Sequence, residues 1–271
     1  MKKSTSSKIL IIALALIMAF VFTACSSSSG SKEASGSAEG AKVYKVIMEP
    51  TFPPFDTTDE NGELAGFDVD MMNAIAADQG FEIEFAQMEF GALIPAIEAG
   101  NADIIASGMN AEDPERQKKV DFTDTYYDSG LVVMVKVDND TITGIDSLTP
   151  DMKVASQTGT TGADACQELA DNGKVAEAVI LDGFDTCVLQ LKTDSVQAVI
   201  IDAPVAASYM KQQSGEFKTV GDVLNAESYG MAVQKGNDEL REKLNAGLKN
   251  IVENGTFAEL CEKWEMANKF E

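Results

Sequence analysis

Hydrophobic positions along the chain follow two rhythms, one of period two and one near 3.6. Phe81, Ile83 and Phe85 alternate with Glu82 and Glu84, which predicts a strand with one wet face. Short apolar runs at 44–48 and 103–106 predict two further strands. Between them lie two helical patterns. Asp68 is a candidate N-cap for a helix that turns Val69, Met72, Ile75 and Ala76 inward and ends at Gly80. Leu93, Ile94 and Ile97 predict a shorter helix closed by Gly100. The alternation repeats after residue 130, with strands at 153–157, 179–181 and 196–201 and helices at 162–170, 184–192 and 205–212. A strand at 229–234 precedes an amphipathic helix at 238–253 with Leu240, Leu244, Leu248 and Ile251 on one stripe, closed by Gly255. A last helix carries Phe257, Leu260 and Trp264. Strand–helix alternation predicts an α/β fold of two lobes, each an open, mostly parallel sheet flanked by helices. The strand 131–135 leads out of the first unit and 229–233 leads back. The expected division is 43–129 with 229–271 for lobe 1 and 130–228 for lobe 2, with a hinge near 128–131 and 228–231.

The amino terminus breaks both rhythms. Lys2, Lys3 and Lys8 precede fourteen residues, 9–22, without a polar side chain. A spanning helix needs about twenty apolar residues, so this run reads as the core of an export signal. Thr23, Ala24 and Cys25 follow, then four serines. The arrangement resembles a bacterial lipoprotein signal at 1–24, with Phe22 where leucine is usual and Cys25 as the lipid carrier. Residues 26–42 hold seven Ser and three Gly, a flexible tether that begins at Cys25. Export permits disulfides, and Cys166, Cys187 and Cys261 allow one bridge in three pairings or none.

Charge narrows the chemistry. The 271 residues carry 21 Lys plus Arg against 44 Asp plus Glu, a net charge of −23. Loss of residues 1–24 removes three lysines and no acid, which leaves −26. So acidic a chain is not built for nucleic acid, whose phosphates need a basic surface. The sequence has no histidine, which removes Ser-His-Asp, Cys-His and His-metal mechanisms together. Arg116 and Arg241 are its two arginines. A guanidinium is a rigid fork for a carboxylate, and Arg116 is either such a fork or a surface ion-pair partner at a helix start. Asp202 ends an apolar strand run before Ala203-Pro204. It is placed either to meet a ligand at the carboxyl end of the sheet or to cap a helix. Gly159-Thr160-Thr161 forms a strand-to-helix turn whose amides and hydroxyls suit an anion, and it matches no nucleotide-binding motif.

Several segments, in this order, resemble the polar amino-acid-binding proteins of ABC importers, a type II periplasmic-binding-protein fold. They are Pro53-Pro54-Phe55, Gly66-Phe67-Asp68-Val69-Asp70, Leu93-Ile94-Pro95-Ala96-Ile97, Ser107-Gly108-Met109, Glu115-Arg116, the stretch 120–127, Gly159-Thr160-Thr161 and the stretch 198–202. The resemblance covers about residues 43–265. It implies an exported binding module rather than an enzyme, closing on a free polar or charged amino acid and read by a membrane permease. It also implies a lipid-anchored monomer on the outer face of the bacterial cytoplasmic membrane, with no metal or cofactor. Arg116 is implied as the carboxylate partner, with Thr160, Thr161, Ser107 and Met109 in the same pocket, and Asp202 as the ammonium partner. Phe52 and Phe90 are implied to flank the ligand side chain, while Gln157 and Glu49 lie toward its tail. The segment before Arg116 is one residue longer than the family's usual pattern, and Asp113-Pro114 replaces its threonine as the helix start. The competing readings are an exported enzyme on the same fold (dehydratase-like or peptidoglycan-cleaving) and a ligand-sensing surface protein.

Overall fold

A computed structural model describes residues 42–270; the signal region, most of the tether and Cys25 lie outside the described residues. The chain begins with β1 (Val43–Met48), β2 (Thr57–Thr58), β3 (Leu64–Ala65), α1 (Phe67–Gln79), β4 (Glu82–Gln87), α2 (Phe90–Glu98), β5 (Ile104–Ile105), α3 (Pro114–Gln117) and β6 (Val120–Phe122). It continues through β7 (Tyr127–Ser129), β8 (Leu131–Lys136), β9 (Lys153–Gln157), α4 (Thr161–Asp171), β10 (Glu177–Leu181), α5 (Phe184–Lys192), β11 (Ala198–Asp202), α6 (Ala203–Gln212) and β12 (Phe217–Val220). It ends with β13 (Glu227–Tyr229), β14 (Ala232–Gln234), α7 (Asp238–Glu253) and α8 (Thr256–Lys263).

Two five-stranded sheets result, in the orders β4-β1-β5-β14-β6 and β10-β9-β11-β8-β12. Each is parallel apart from one reversed strand. β14 runs against β5 and β6, and β8 runs against β11 and β12. The reversed strands are the two that follow the short pair β7 and β13, which is antiparallel with Ser129 opposite Glu227 and Tyr127 opposite Tyr229.

Alternating side chains bury both faces of each sheet. In the first, Ile47 and Ile105 pack on Leu93 and Ile97 of α2. Val46, Met48 and Ile104 pack the other way, with Met72 and Ile75 of α1 and Leu240, Leu244 and Leu248 of α7. In the second, Val154, Ala198 and Ile200 face Cys166 of α4. Ala155, Val199 and Ile201 face Cys187 and Leu191 of α5 and Val205 of α6. Each fully buried aliphatic contributes about 1.5–3 kcal/mol relative to exposure. Cys166 and Cys187 thus lie on opposite faces of one sheet as buried free thiols, each pushed up to about 12 by burial. Cys261 is buried on α8.

Two local expectations need correction. Asp68 does not cap α1: the N-cap is Gly66, at φ 137°, where a Cβ would lie 1.9 Å from the Phe55 carbonyl oxygen. Asp68 therefore sits within the first turn, and its carboxylate turns inward. The predicted strand 229–234 is two strands, because Tyr229 pairs with β7 while Ala232 pairs with the first sheet. The bond from Gly230 N–H to the Met109 carbonyl, 3.1 Å, fills the break.

Candidate binding site

Asp113 positions Arg116. It caps α3 by accepting from the Glu115 and Arg116 amides at 2.7 and 3.2 Å, and Pro114 fixes the first helical residue, as the local sequence predicts. The single turn that follows directs the Arg116 side chain inward, where the residue is 8% exposed. Its Nη1 donates to the Asn110 carbonyl at 3.4 Å and its Nη2 to the Gly159 carbonyl at 3.1 Å. The guanidinium carbon stands 5.4 Å from the Phe90 ring centre, a cation–π approach. Burial pulls the guanidinium below its usual range, against the acids Asp113, Glu227, Asp202 and Asp164. A cavity of about 250 Å3 opens on this group, lined among others by Phe90, Met109, Arg116 and Gly159. A larger groove of about 670 Å3, between Pro204 and Trp264, is lined by none of the candidate site residues.

Asp202 ends β11 at the N-cap position of α6, yet its side chain makes no capping bond. Instead Oδ1 accepts from the Tyr229 hydroxyl at 2.5 Å and the Ser129 hydroxyl at 3.5 Å. Burial, then the charge of Glu227, pushes this carboxyl up to about 8, while Tyr229 and Arg116 pull it down. Glu227 is itself buried and accepts from the Thr161 hydroxyl at 2.6 Å. Ser129, Glu227 and Tyr229 join the candidate site through these contacts, and sequence reasoning missed them. They lie on the three-residue strands β7 and β13, which carry no periodic signal.

The turn between β9 and α4 supplies the next group. The Thr160 hydroxyl donates to the Gln157 carbonyl at 2.7 Å and accepts from the Ala163 amide at 3.1 Å, so it caps α4. Gln157 is fully buried, donates through Nε2 to the Asp182 carbonyl at 2.9 Å, and has no described partner for Oε1. Gly159 adopts φ 78°, and a Cβ there would lie 2.8 Å from the Gly91 Cα. The β9–α4 turn and α2 therefore touch through their backbones.

Glu49 directly follows β1 and is buried. Its carboxylate accepts from the Thr51 amide and hydroxyl at 3.2 and 2.9 Å, and its own amide donates to the Ser107 hydroxyl at 3.0 Å. Burial pushes the Glu49 carboxyl up, hydrogen bonds from Gln157 and Thr51 oppose it, and Asp185 adds to the rise. The Thr51 hydroxyl also accepts the Phe184 amide at 2.9 Å, which ties the loop after β1 to α5. Phe52 packs 5.8 Å from Phe184 and 6.0 Å from Tyr229, ring centre to ring centre. Beneath this loop Asp68 accepts from the Gly108 amide at 2.9 Å and the Tyr126 hydroxyl at 2.8 Å. Both oxygens of the buried Asp56 lack a described partner. Burial pushes Asp68 up to about 7, and burial plus the charge of Asp68 pushes Asp56 well up.

One forked cation, several buried acids and flat aromatic faces gather where the two sheets meet. Such a site is equipped to hold a small dipolar molecule. A solved structure of an ancestral arginine-binding protein bound to arginine is similar at a TM-score of 0.78 and 39% identity, covering 83% of this chain and 99% of that chain. An arginine-binding extracellular protein of Bacillus subtilis is 33% identical over 97% of this chain and 99% of its own length. A protein of Neisseria gonorrhoeae named for histidine binding is 33% identical over 93% of this chain and 94% of its own. The model of one family, the bacterial extracellular solute-binding proteins, family 3, matches residues 44–267, and the chain belongs to that family.

Proposed function

We propose that this protein is the extracytoplasmic amino-acid-binding lipoprotein of an ABC importer, and that its ligand is a basic amino acid, L-arginine first. Lobe 1 comprises 43–129 with 229–271 and lobe 2 comprises 130–228. They close on the ligand about β7 and β13 and present it to the permease. The observation that supports this most is the burial of a cation and an acid, Arg116 at 8% exposure and Asp202 at 4%, close enough to influence each other. They suit the two ends of a zwitterion: the guanidinium takes the α-carboxylate and the carboxylate takes the α-ammonium. Phe90 and Phe52 flank the side chain, and Glu49, near Gln157 and Asp185, faces a cationic tail. The names of the relatives favour the same ligand class. Cys25 carries the lipid, holding a monomer on its tether at the outer face of the cytoplasmic membrane. Binding, not turnover, is the activity.

A thermal-shift screen of the mature protein against the common amino acids tests this. A ligand at 100 times its dissociation constant stabilises by about 2.7 kcal/mol. L-Arginine is expected to give the largest shift. A flat response to every amino acid contradicts the reading.

A further inference from the structure

Resting on that reading, we infer that Glu227, on the returning strand β13, is a positioning residue of the site: it anchors Thr161 to the crossing strands, and its charge governs when Asp202 can receive an ammonium. Its Oε1 accepts from Thr161 Oγ1 at 2.6 Å and from Asn225 Nδ2 at 3.0 Å. Asn225 in turn accepts the Leu131 amide at 3.0 Å, at the first residue of β8. One carboxylate thus ties the first residue of α4 to the returning strand directly, and to the entry into the second sheet through Asn225. Its strand neighbour Tyr229 and its register partner Ser129 hold Asp202 by their hydroxyls. The hydroxyls of Tyr229, Ser129 and Thr161 and the amide of Asn225 all donate to these two acids.

The charges do not balance among themselves. The groups facing Asp202 are Glu227 and Tyr229 from β13, Ser129 from β7 and Arg116 from α3. Arg116 is the cation felt by both acids, and it is shared with Asp113 and Asp164. Two buried carboxyls against one guanidinium favour retention of a proton, because like charges at close range oppose the second ionisation. An ammonium must displace that proton to be received. As pH falls, proton and ammonium compete for Asp202, and affinity declines. Removing the Glu227 charge moves the competition to lower pH, since Asp202 then ionises more readily.

The test is calorimetry with L-arginine from pH 6 to pH 8 on the mature wild-type protein, Glu227→Gln and Glu227→Ala. A carbon-13 titration of the Asp202 carboxyl without ligand, assigned with Asp202→Asn, accompanies it. Gln keeps an oxygen for Thr161 and Asn225 but carries no charge. Wild-type affinity is expected to weaken toward pH 6 by up to about tenfold per pH unit. Glu227→Gln is expected to hold nearly constant, and Glu227→Ala to bind more weakly at every pH. Parallel profiles for wild type and Glu227→Gln overturn the inference, as does wild-type affinity in a folded Glu227→Ala. If no amino acid binds wild type, the proposed function fails by itself. The carboxyl titration still decides the role of Glu227: Asp202 must titrate at lower pH in Glu227→Gln, and an unmoved curve overturns it.

Discussion

Arg116 and Asp202 stand out in the sequence for different reasons, scarcity for one and position at a strand end for the other. Arginine occurs twice in a chain of 44 acids, so a buried one invites a reason. For Asp202 the sequence offered both capping and ligand contact and favoured contact, and the side chain makes no cap. The Thr160 hydroxyl bonds within the turn that it caps. What sequence could not supply was the company these residues keep. Glu227 meets Thr161 across 66 positions, and Asp68 meets Gly108 across 40. The acid Asp68 looked like a cap because caps are local, whereas its partners are distant. The pair Asp56 and Asp68 carries a consequence for stability. Their folded pKa values lie above the ordinary value of 3.8, Asp68 at about 7. Between about pH 4 and 7 the folded state therefore holds more protons than the unfolded chain, and stability falls as pH rises through that window. Asp56→Asn removes much of this penalty. Its melting temperature is expected to exceed wild type at pH 8, by roughly 2–4 °C for each kcal/mol relieved, and to converge on it near pH 4. Scanning calorimetry at the two pH values checks this, and a gap that widens toward acid refutes it.

At the scale of elements, long periodic segments were legible and short ones were not. Helix α7 spans the predicted 238–253, and α5 and β9 also match. The helices each bury one stripe on a sheet, and β9 is buried on both faces. Strands β7 and β13 hold three residues each and pair across about 100 positions, so their existence depends on the finished fold. The same holds for the contact between α2 and the β9–α4 turn. There Gly159 needs both its positive φ and the space beside Gly91. Gly159→Ala meets a backbone strain of about 1–3 kcal/mol and a clash across the cleft. On the proposed closure, it weakens arginine binding, because the clash is present only when the lobes are shut, whereas the strain is common to free and bound forms and cancels. Comparing the loss in affinity with the loss in ligand-free unfolding free energy checks this. Unchanged affinity beside a loss in ligand-free unfolding free energy argues that the turn does not meet α2 during binding.

At the scale of the whole molecule, the α/β class and the mostly parallel sheets followed from alternating strands and helices. The reversal of β8 and β14 did not, because direction within a sheet is set by where the chain crosses over. Crossing twice leaves each sheet with one reversed strand directly after a member of the β7–β13 pair. On the proposed division into lobes, closure is a rotation about that pair, and opening parts cross-lobe contacts such as Arg116 with the Gly159 carbonyl and the Thr51 hydroxyl with the Phe184 amide. Saturating arginine is accordingly expected to reduce the radius of gyration in solution scattering, whereas an unchanged radius speaks against closure. The central claim is narrower: an amino acid is held by its two charged ends, on Arg116 and Asp202. Leaving either charge buried without its partner costs about 2–5 kcal/mol, a loss of roughly thirtyfold to several thousandfold. Titration calorimetry with L-arginine on folded Asp202→Ala measures this directly. The account predicts a loss in that range, and near-native affinity would contradict it.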